Sequence, residues 1–322
     1  MRDTYGREIN YLRLSLTDRC NLRCKYCMPH GITPASHGEI LTYEELLRIA
    51  GCAVSLGITR FKVTGGEPLV RRGCVSFVER LKAVPGVEQV TMTTNGTLLP
   101  DHLPALRAAG LDGINVSIDA LDPAVFTAIT GVSVSMPDWG ALLSQCVDSG
   151  IHTKVNVVLQ GDNRGEWLSL AGLAAALPVD VRFIERMPLG SREPAAPVRA
   201  GELLEALFCR WPDLHPVQEQ RGNGPARYFA SAQLRGRLGV IDAVSHRFCD
   251  SCNRLRLTST GWLKPCLCYE QGEDLRAILR SGGTDAALKQ ALTRAIAAKP
   301  PAHCFESGDA VTERRAMSQI GG

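Results

Sequence analysis

Short apolar runs alternate with amphipathic stretches through the first two thirds of the chain. The apolar runs are rich in β-branched residues and bounded by Gly, Pro or Asp, which is typical of strands. The stretches between them carry apolar residues at helical spacing. The predicted strands are 11–17, 58–64, 87–93, 112–118, 151–159 and 179–185. The predicted helices are 43–56, 73–84, 101–109, 138–149 and 165–176.

This strand–helix alternation predicts an α/β fold with a parallel sheet. Six units without a dinucleotide-type glycine fingerprint favour an incomplete (β/α)6 barrel of the TIM type. An open doubly wound sheet is the alternative, because periodicity alone does not separate the two. Thr42 and Glu45 predict a capping box for the helix 43–56, and Gly57 supplies its stop.

The alternation ends near residue 190, where "GSREPAAPVRAGE" is typical of a loop. A helix near 201–210, short strands within 227–241 and 253–265, and a closing helix near 284–298 follow. We therefore predict a barrel over 1–190 and a C-terminal extension over 191–322 that packs on it.

Composition excludes few functions. Of 322 residues, 45% are hydrophobic and 21% charged, and the net charge of +3 favours neither nucleic acid nor a membrane surface. The N-terminus has no apolar signal region, and no uncharged apolar run is long enough to cross a bilayer. The sequence predicts a cytoplasmic protein.

Twelve cysteines change this picture. In a cytosolic chain, clustered cysteines more often bind metal or perform redox chemistry than form disulfides. Two groups of three stand out, and the first lies in "CNLRCKYC" directly after the first predicted strand. The two groups are Cys20, Cys24 and Cys27, and Cys249, Cys252 and Cys266.

Three thiolates at one point fit either an open zinc site or a [4Fe–4S] cluster with one iron free for an exogenous molecule. "TGGEP" follows the second strand, where Gly65 and Gly66 let the backbone approach a ligand and Glu67 could pair with an amino group. The second group fits a zinc knuckle, with Cys268 as fourth ligand, equally well as an iron–sulfur cluster.

Basic residues gather near the predicted strand ends and the second cysteine group. Arg254 and Arg256 share a face if their segment is extended. The others are Arg13, Lys62, Arg71, Arg72 and Lys154. Together they predict a positive pocket suited to a polyphosphate.

"CNLRCKYC" followed by "TGGEP" resembles the radical S-adenosylmethionine (SAM) superfamily. Further motifs resemble its GTP 3′,8-cyclase branch nearly from end to end: "TTNGTLL", "INVSIDALD", "KVNVV", "RFIERMPLG", "FCDSCNRLRLT" and the final "GG". The resemblance implies two [4Fe–4S] clusters, one on each cysteine trio, at opposite ends of the barrel cavity. The second would lie in the C-terminal extension and bind the guanine of GTP.

The resemblance also implies residue roles. The SAM contacts are Tyr26, Gly66, Glu67, Ser117 and Met187. The GTP contacts are Arg13, Lys62, Thr93, Lys154, Arg254, Leu255 and Arg256. The C-terminal Gly321 and Gly322, by composition a frayed tail, would reach into the active site and assist the radical chemistry.

The implied reaction begins when the reduced cluster cleaves SAM to a 5′-deoxyadenosyl radical. This radical takes the ribose 3′-hydrogen of GTP, and the sugar closes onto C8 of guanine, the first step of molybdenum cofactor biosynthesis. The implied partners are an electron donor of flavodoxin or ferredoxin type and, downstream, cyclic pyranopterin monophosphate synthase, with a homodimer as one option for assembly.

Two alternatives and two departures accompany this interpretation. The alternatives are a radical SAM peptide maturase with an auxiliary cluster and a zinc-stabilised binding protein. The departures are Lys62, where the family usually has Arg, and Cys268, which lies outside the family pattern. Lys62 keeps the charge but loses bidentate phosphate binding.

Overall fold

A computed structural model describes residues 1–29, 31–189, 198–219, 221–306 and 310–321. Twelve strands form one sheet in the order β12-β11-β10-β1-β2-β3-β4-β5-β6-β9-β8-β7. They are β1 Tyr11–Ser15, β2 Arg60–Thr64, β3 Gln89–Thr94, β4 Gly113–Ser117, β5 His152–Leu159, β6 Asp180–Glu185, β7 His215–Val217, β8 Arg227–Ala230, β9 Leu238–Ile241, β10 Arg254–Leu257, β11 Trp262–Lys264 and β12 Glu273–Asp274.

Helices connect the strands, and five of those before β6 fall where the sequence predicts them. The α-helices are α1 Tyr43–Val54, α2 Cys74–Lys82, α3 Leu99–Ala108, α4 Pro123–Thr130, α5 Trp139–Asp148, α6 Trp167–Ala176, α7 Ala200–Arg210, α8 Leu275–Arg280, α9 Asp285–Ala297 and α10 Met317–Ile320. The predicted capping box of α1 is confirmed, since Thr42 and Glu45 exchange side-chain and backbone hydrogen bonds. Within the described residues, every helix is too short or too polar to cross a lipid bilayer.

The two faces of the sheet differ in polarity. One set of alternating positions, such as Leu12, Phe61 and Val155, packs with the helices in one continuous apolar core. The other set, such as Arg13 and Lys62, is polar and lines a cavity. Because the helices cover the apolar face and the polar face encloses a cavity, the fold is the predicted incomplete barrel and not the doubly wound alternative.

The C-terminal extension continues the barrel sheet at both edges. β10 pairs in parallel with β1, and β9 pairs in parallel with β6. β11 and β8 then add antiparallel strands outside them. The predicted boundary at residue 190 lies outside the described residues, so the division into 1–190 and 191–322 stays a prediction.

Candidate active site

The first cysteine loop follows β1 directly. The N–H groups of Cys27 and Met28 both donate to the Cys24 carbonyl, at 3.0 and 2.9 Å, and form a tight turn. Two further N–H groups point at the Cys20 sulfur: the Leu22 backbone at 3.4 Å and the Asn95 side chain at 3.7 Å. Donors of this kind stabilise a thiolate that ligates metal.

The three thiols of this loop influence one another. Burial raises the pKa of Cys24 well above its ordinary value, and Asp119, Cys27 and Cys20 raise it further. Burial likewise raises the pKa of Cys27 to about 12. Thiolates so disfavoured need compensating positive charge, which the irons of a cluster supply. Among the described residues, no three His, Cys, Asp or Glu side chains gather closely enough for a single metal ion.

The "TGGEP" turn is fastened to the segment just before the cysteines. Gly66 N–H donates to Thr17 O at 2.7 Å, and Glu67 N–H donates to Arg19 O at 2.9 Å. The Glu67 carboxylate is fully buried and accepts hydrogen bonds from Leu69, Thr94 and Asn95. It thus joins the loops after β2 and β3, whereas the sequence predicts a contact with SAM.

The other predicted SAM residues surround the same loop. Tyr26 donates its hydroxyl hydrogen to Asp119 at 2.9 Å, just beyond β4. Ser117 pairs with Asn156 on the cavity face, and Met187 packs beyond β6 against a small apolar cluster. Asp119 is absent from the predicted site residues, although its place after a strand end is a signal for it.

The second trio lies in the C-terminal extension, where Arg7 of the N-terminal segment donates to Cys249 O at 2.9 Å. Cys249 accepts a hydrogen bond at its sulfur from the His303 N–H at 3.3 Å. Burial raises the pKa of Cys252, but Arg254 and Lys299 lower it more, and it falls to about 7. Lys299 is buried and donates to the carbonyls of Arg254 and Pro265, at 2.9 and 2.8 Å. The donors and cations around these sulfurs fit a thiolate-bound cluster.

A cavity of about 410 Å³ opens on the polar face of the barrel. The predicted GTP residues Arg13, Lys62, Thr93, Lys154 and Arg254 line it. Two further cations, Arg182 and Arg221, line it although the sequence did not single them out. Such a volume is ordinary for a nucleotide-sized ligand.

The cavity cations repel one another. Burial lowers the pKa of Lys62 well below its ordinary value, and Arg182, Arg13, Lys154 and Arg254 lower it further. Burial lowers the pKa of Lys154 to about 7, helped by Arg182 and opposed by Asp180. A bound polyanion would relieve this repulsion.

Four predicted residues do not line the cavity. The Leu255 side chain lies in the apolar core on the opposite face of β10, so only its backbone could meet a ligand. Arg256 donates to Gly321 O at 2.7 Å. The prediction for Arg71 and Arg72 is wrong, because Arg71 donates to Leu16 O and Leu41 O and stacks on a tyrosine ring, while Arg72 is exposed.

The C-terminal segment runs between the two cysteine loops. Glu313, paired with the fully buried Lys264, donates its N–H to Cys268 O at 3.2 Å. Further on, Met317 N–H donates to Cys27 O at 3.2 Å. Gly321 thereby reaches the ends of β1 and β2. Gly322 lies outside the described residues, so its predicted role stays a prediction.

Two protein-family models together match most of the chain. The Radical SAM superfamily model matches residues 14–174, and the Molybdenum Cofactor Synthesis C model matches 179–305. In fold, the chain is similar to the crystal structure of Streptococcus suis SuiB bound to S-adenosylmethionine, with a TM-score of 0.62, 13% identity, and coverage of 97% of this chain and 78% of that one. The class is therefore that of radical SAM proteins, which use SAM and an iron–sulfur cluster.

Curated relatives define the branch. A GTP 3′,8-cyclase of Pelotomaculum thermopropionicum is 42% identical over 100% of both chains. Another of Geobacter sulfurreducens is 43% identical over 99% of both. The chain belongs to the GTP 3′,8-cyclase family, which confirms the resemblance that its motifs predict.

Proposed function

We propose that this protein converts GTP to 3′,8-cyclo-7,8-dihydro-GTP in the first step of molybdenum cofactor biosynthesis. The observation that carries the proposal is a cavity lined by six cations, where the strands bring Arg13, Lys62 and Lys154 together. The lining cations are Arg13, Lys62, Lys154, Arg182, Arg221 and Arg254. A peptide substrate offers no comparable negative charge, so this cavity favours the cyclase over a peptide maturase.

The chain's own groups have separable tasks. Cys20, Cys24 and Cys27 would hold the first cluster, which supplies the electron that cleaves SAM. Cys249, Cys252 and Cys266 would hold the second. Asn95 and the Leu22 N–H orient the Cys20 sulfur by their hydrogen bonds.

The cavity cations would bind the substrate, and the C-terminal segment would exclude water from it. Arg13 and Arg254 offer planar guanidinium groups that bind phosphate oxygens in pairs, whereas Lys62 offers a point charge. Arg256 holds the Gly321 carbonyl, which keeps the C-terminal segment against the ends of β1 and β2. A segment in this place would shield the reacting sugar from bulk water.

The remaining assignments extend this proposal. We place the reaction in the cytoplasm, where free thiols persist, and expect a flavodoxin or ferredoxin as electron donor. The product would pass to cyclic pyranopterin monophosphate synthase. A homodimer stays a prediction.

The test is an anaerobic assay with reconstituted, reduced protein. SAM is added with GTP, with ATP or without nucleotide, and 5′-deoxyadenosine and cyclised nucleotide are quantified. We expect both products to form together with GTP and only background levels otherwise. Equal 5′-deoxyadenosine in all three reactions would remove the GTP assignment while leaving a radical SAM enzyme.

GTP affinity should weaken as pH rises above about 7. The pKa of Lys154 is about 7 because of burial and the nearby Arg182, and the negative charge of a bound triphosphate must raise it. Binding therefore takes up a proton above pH 7. GTP affinity is greatest below the pKa that Lys154 has in the GTP-free protein. It decreases as pH rises towards the higher pKa that Lys154 has in the GTP complex, by at most about tenfold per pH unit for one proton. His152 does not contribute, because burial lowers its pKa and leaves it neutral in this range.

Calorimetry between about pH 7.5 and 9 checks this, in two buffers of different ionisation enthalpy that report proton uptake. The matched control is Lys154→Arg, which stays charged and should make the profile shallower, so that only the contribution of Lys62, whose pKa is also lowered, remains. Identical pH profiles for the two proteins would contradict the role of Lys154.

A further inference from the structure

Two cysteines outside both trios face each other. The sulfurs of Cys268 and Cys304 lie 3.0 Å apart, and the Cys304 N–H donates to the Cys268 sulfur at 3.4 Å. Cys268 is fully buried, and Cys304 is half-buried. The contact gives the Cys268 thiol a partner other than iron.

The pair joins two segments that both touch the second trio. Cys268 follows the predicted ligand Cys266 by two residues. Cys304 follows His303, whose N–H donates to the Cys249 sulfur at 3.3 Å. A covalent bond between the two sulfurs would therefore fix the two segments relative to each other.

The surroundings suit an uncharged pair of sulfurs. Cys268 belongs to a buried apolar cluster, and Cys304 packs against that cluster. The cluster consists of Leu189, Val244, Leu267, Cys268, Phe305 and Ile320. A disulfide is neutral and apolar, so it could occupy this place without a buried charge.

We propose that Cys268 and Cys304 are a reversible dithiol–disulfide site beside the second cysteine trio. This proposal rests on the proposed function only because it takes the second trio to hold a cluster. The reaction between the Cys268 and Cys304 thiols itself requires neither GTP nor SAM. Cys304 is the entry point because it is the more exposed residue of the two, and Cys268 is the resolving thiol because its sulfur lies 3.0 Å from that of Cys304.

The oxidant is a low-molecular-weight disulfide such as glutathione disulfide. The Cys304 thiolate attacks one of its sulfurs, which breaks the S–S bond, forms a mixed disulfide and releases one glutathione. Cys268 then attacks the Cys304 sulfur, which breaks the mixed disulfide, and the proton of the Cys268 thiol passes to the departing glutathione thiolate. Two protein thiols are oxidised and one glutathione disulfide is reduced to two thiols, so electrons balance.

Peptide mapping of the holoprotein tests this. The protein is incubated anaerobically with glutathione disulfide and then quenched in acid with N-ethylmaleimide, which blocks the thiols released from the clusters. It is digested with trypsin, and the peptides are analysed without reduction. Cys268 lies in the tryptic peptide 257–276 and Cys304 in 295–314. We expect these two peptides to be linked and to separate after dithiothreitol.

Serine variants assign the link. It should vanish in Cys268→Ser and in Cys304→Ser and persist in Cys209→Ser, where an exposed lone thiol is removed. Iron content should be the same in all four proteins. The oxidised wild type should also unfold at a higher temperature than the reduced one, because the link closes a long loop.

Three results would overturn the proposal. The first is the absence of linked peptides in the wild-type protein. The second is a link that persists in Cys268→Ser because Cys266 forms it instead. The third is loss of iron in Cys268→Ser alone, which would make Cys268 a cluster ligand. Since the mapping uses neither SAM nor nucleotide, its failure is distinct from failure of the cyclase assay.

Discussion

Cys24→Ala is expected to reduce 5′-deoxyadenosine formation to background and to lower the iron content from about eight to about four atoms per chain. The variant removes only a sulfur, because the turn depends on the Cys24 carbonyl, which still accepts from Cys27 and Met28. A cluster deprived of one of three thiolates is not retained, since no other cysteine lies in this loop besides Cys20 and Cys27. Iron analysis and a single-turnover SAM cleavage assay measure the two effects.

The matched control is Cys209→Ala, an exposed cysteine on α7 outside both trios. It should keep both its iron and its activity. SAM cleavage by Cys24→Ala at the rate of this control would show that the first trio does not hold the cluster. Unchanged circular dichroism in both variants would exclude general unfolding as the cause of lost activity.

The barrel could be predicted from the sequence because its strands carry a strong local signal. The run "IHTKVNVVL" is β-branched and alternates polar and apolar positions, and it becomes β5, His152–Leu159. α4, Pro123–Thr130, was missed, although Asp122 caps it, proline occupies its first position and Gly131 ends it in the left-handed conformation. At eight residues it is too short to show a clear helical periodicity in the sequence.

The membership of the cavity could be predicted only in part. Alternation within a strand defines two faces, but the register between strands decides which residues meet. Arg182 lies in the apolar run "VDVRFIE" and reaches the cavity because it pairs with Asn156 in β5. Arg71 resembles a pocket residue in sequence, yet its guanidinium packs 4.2 Å from the Tyr43 ring.

The surroundings of the second trio depend on distant contacts. Lys299 and His303 lie more than thirty residues beyond the last cysteine of the trio, and neither belongs to a recognisable motif. Their roles appear once α9 returns the chain to β10, where Lys299 meets the Arg254 carbonyl. A single sequence contains no local pattern that predicts such a long-range contact. The spacing of the cysteines is a local pattern, and the second trio could therefore be predicted from it.

Gly66→Ala is expected to lower SAM cleavage by about 100-fold and to destabilise the fold by about 1–3 kcal/mol. A Cβ at Gly66 would lie 2.6 Å from Arg19 C and 2.8 Å from Asp18 O, closer than van der Waals contact allows. The obstacle is backbone and cannot rotate away. The segment before Cys20 must therefore move, and the hydrogen bonds from Gly66 to Thr17 and from Glu67 to Arg19 must stretch.

Gly51→Ala provides the matched control for this substitution. Gly51 lies exposed in α1, and a Cβ there meets no atom within 4 Å. Alanine should stabilise that helix by about 1 kcal/mol and leave activity unchanged. Thermal unfolding and the SAM cleavage rate of the three proteins separate the effects. If Gly66→Ala cleaved SAM at the wild-type rate, the "TGGEP" turn would not position the cysteine loop. The added methyl group must displace the segment before Cys20, and that displacement would then have no effect on SAM cleavage.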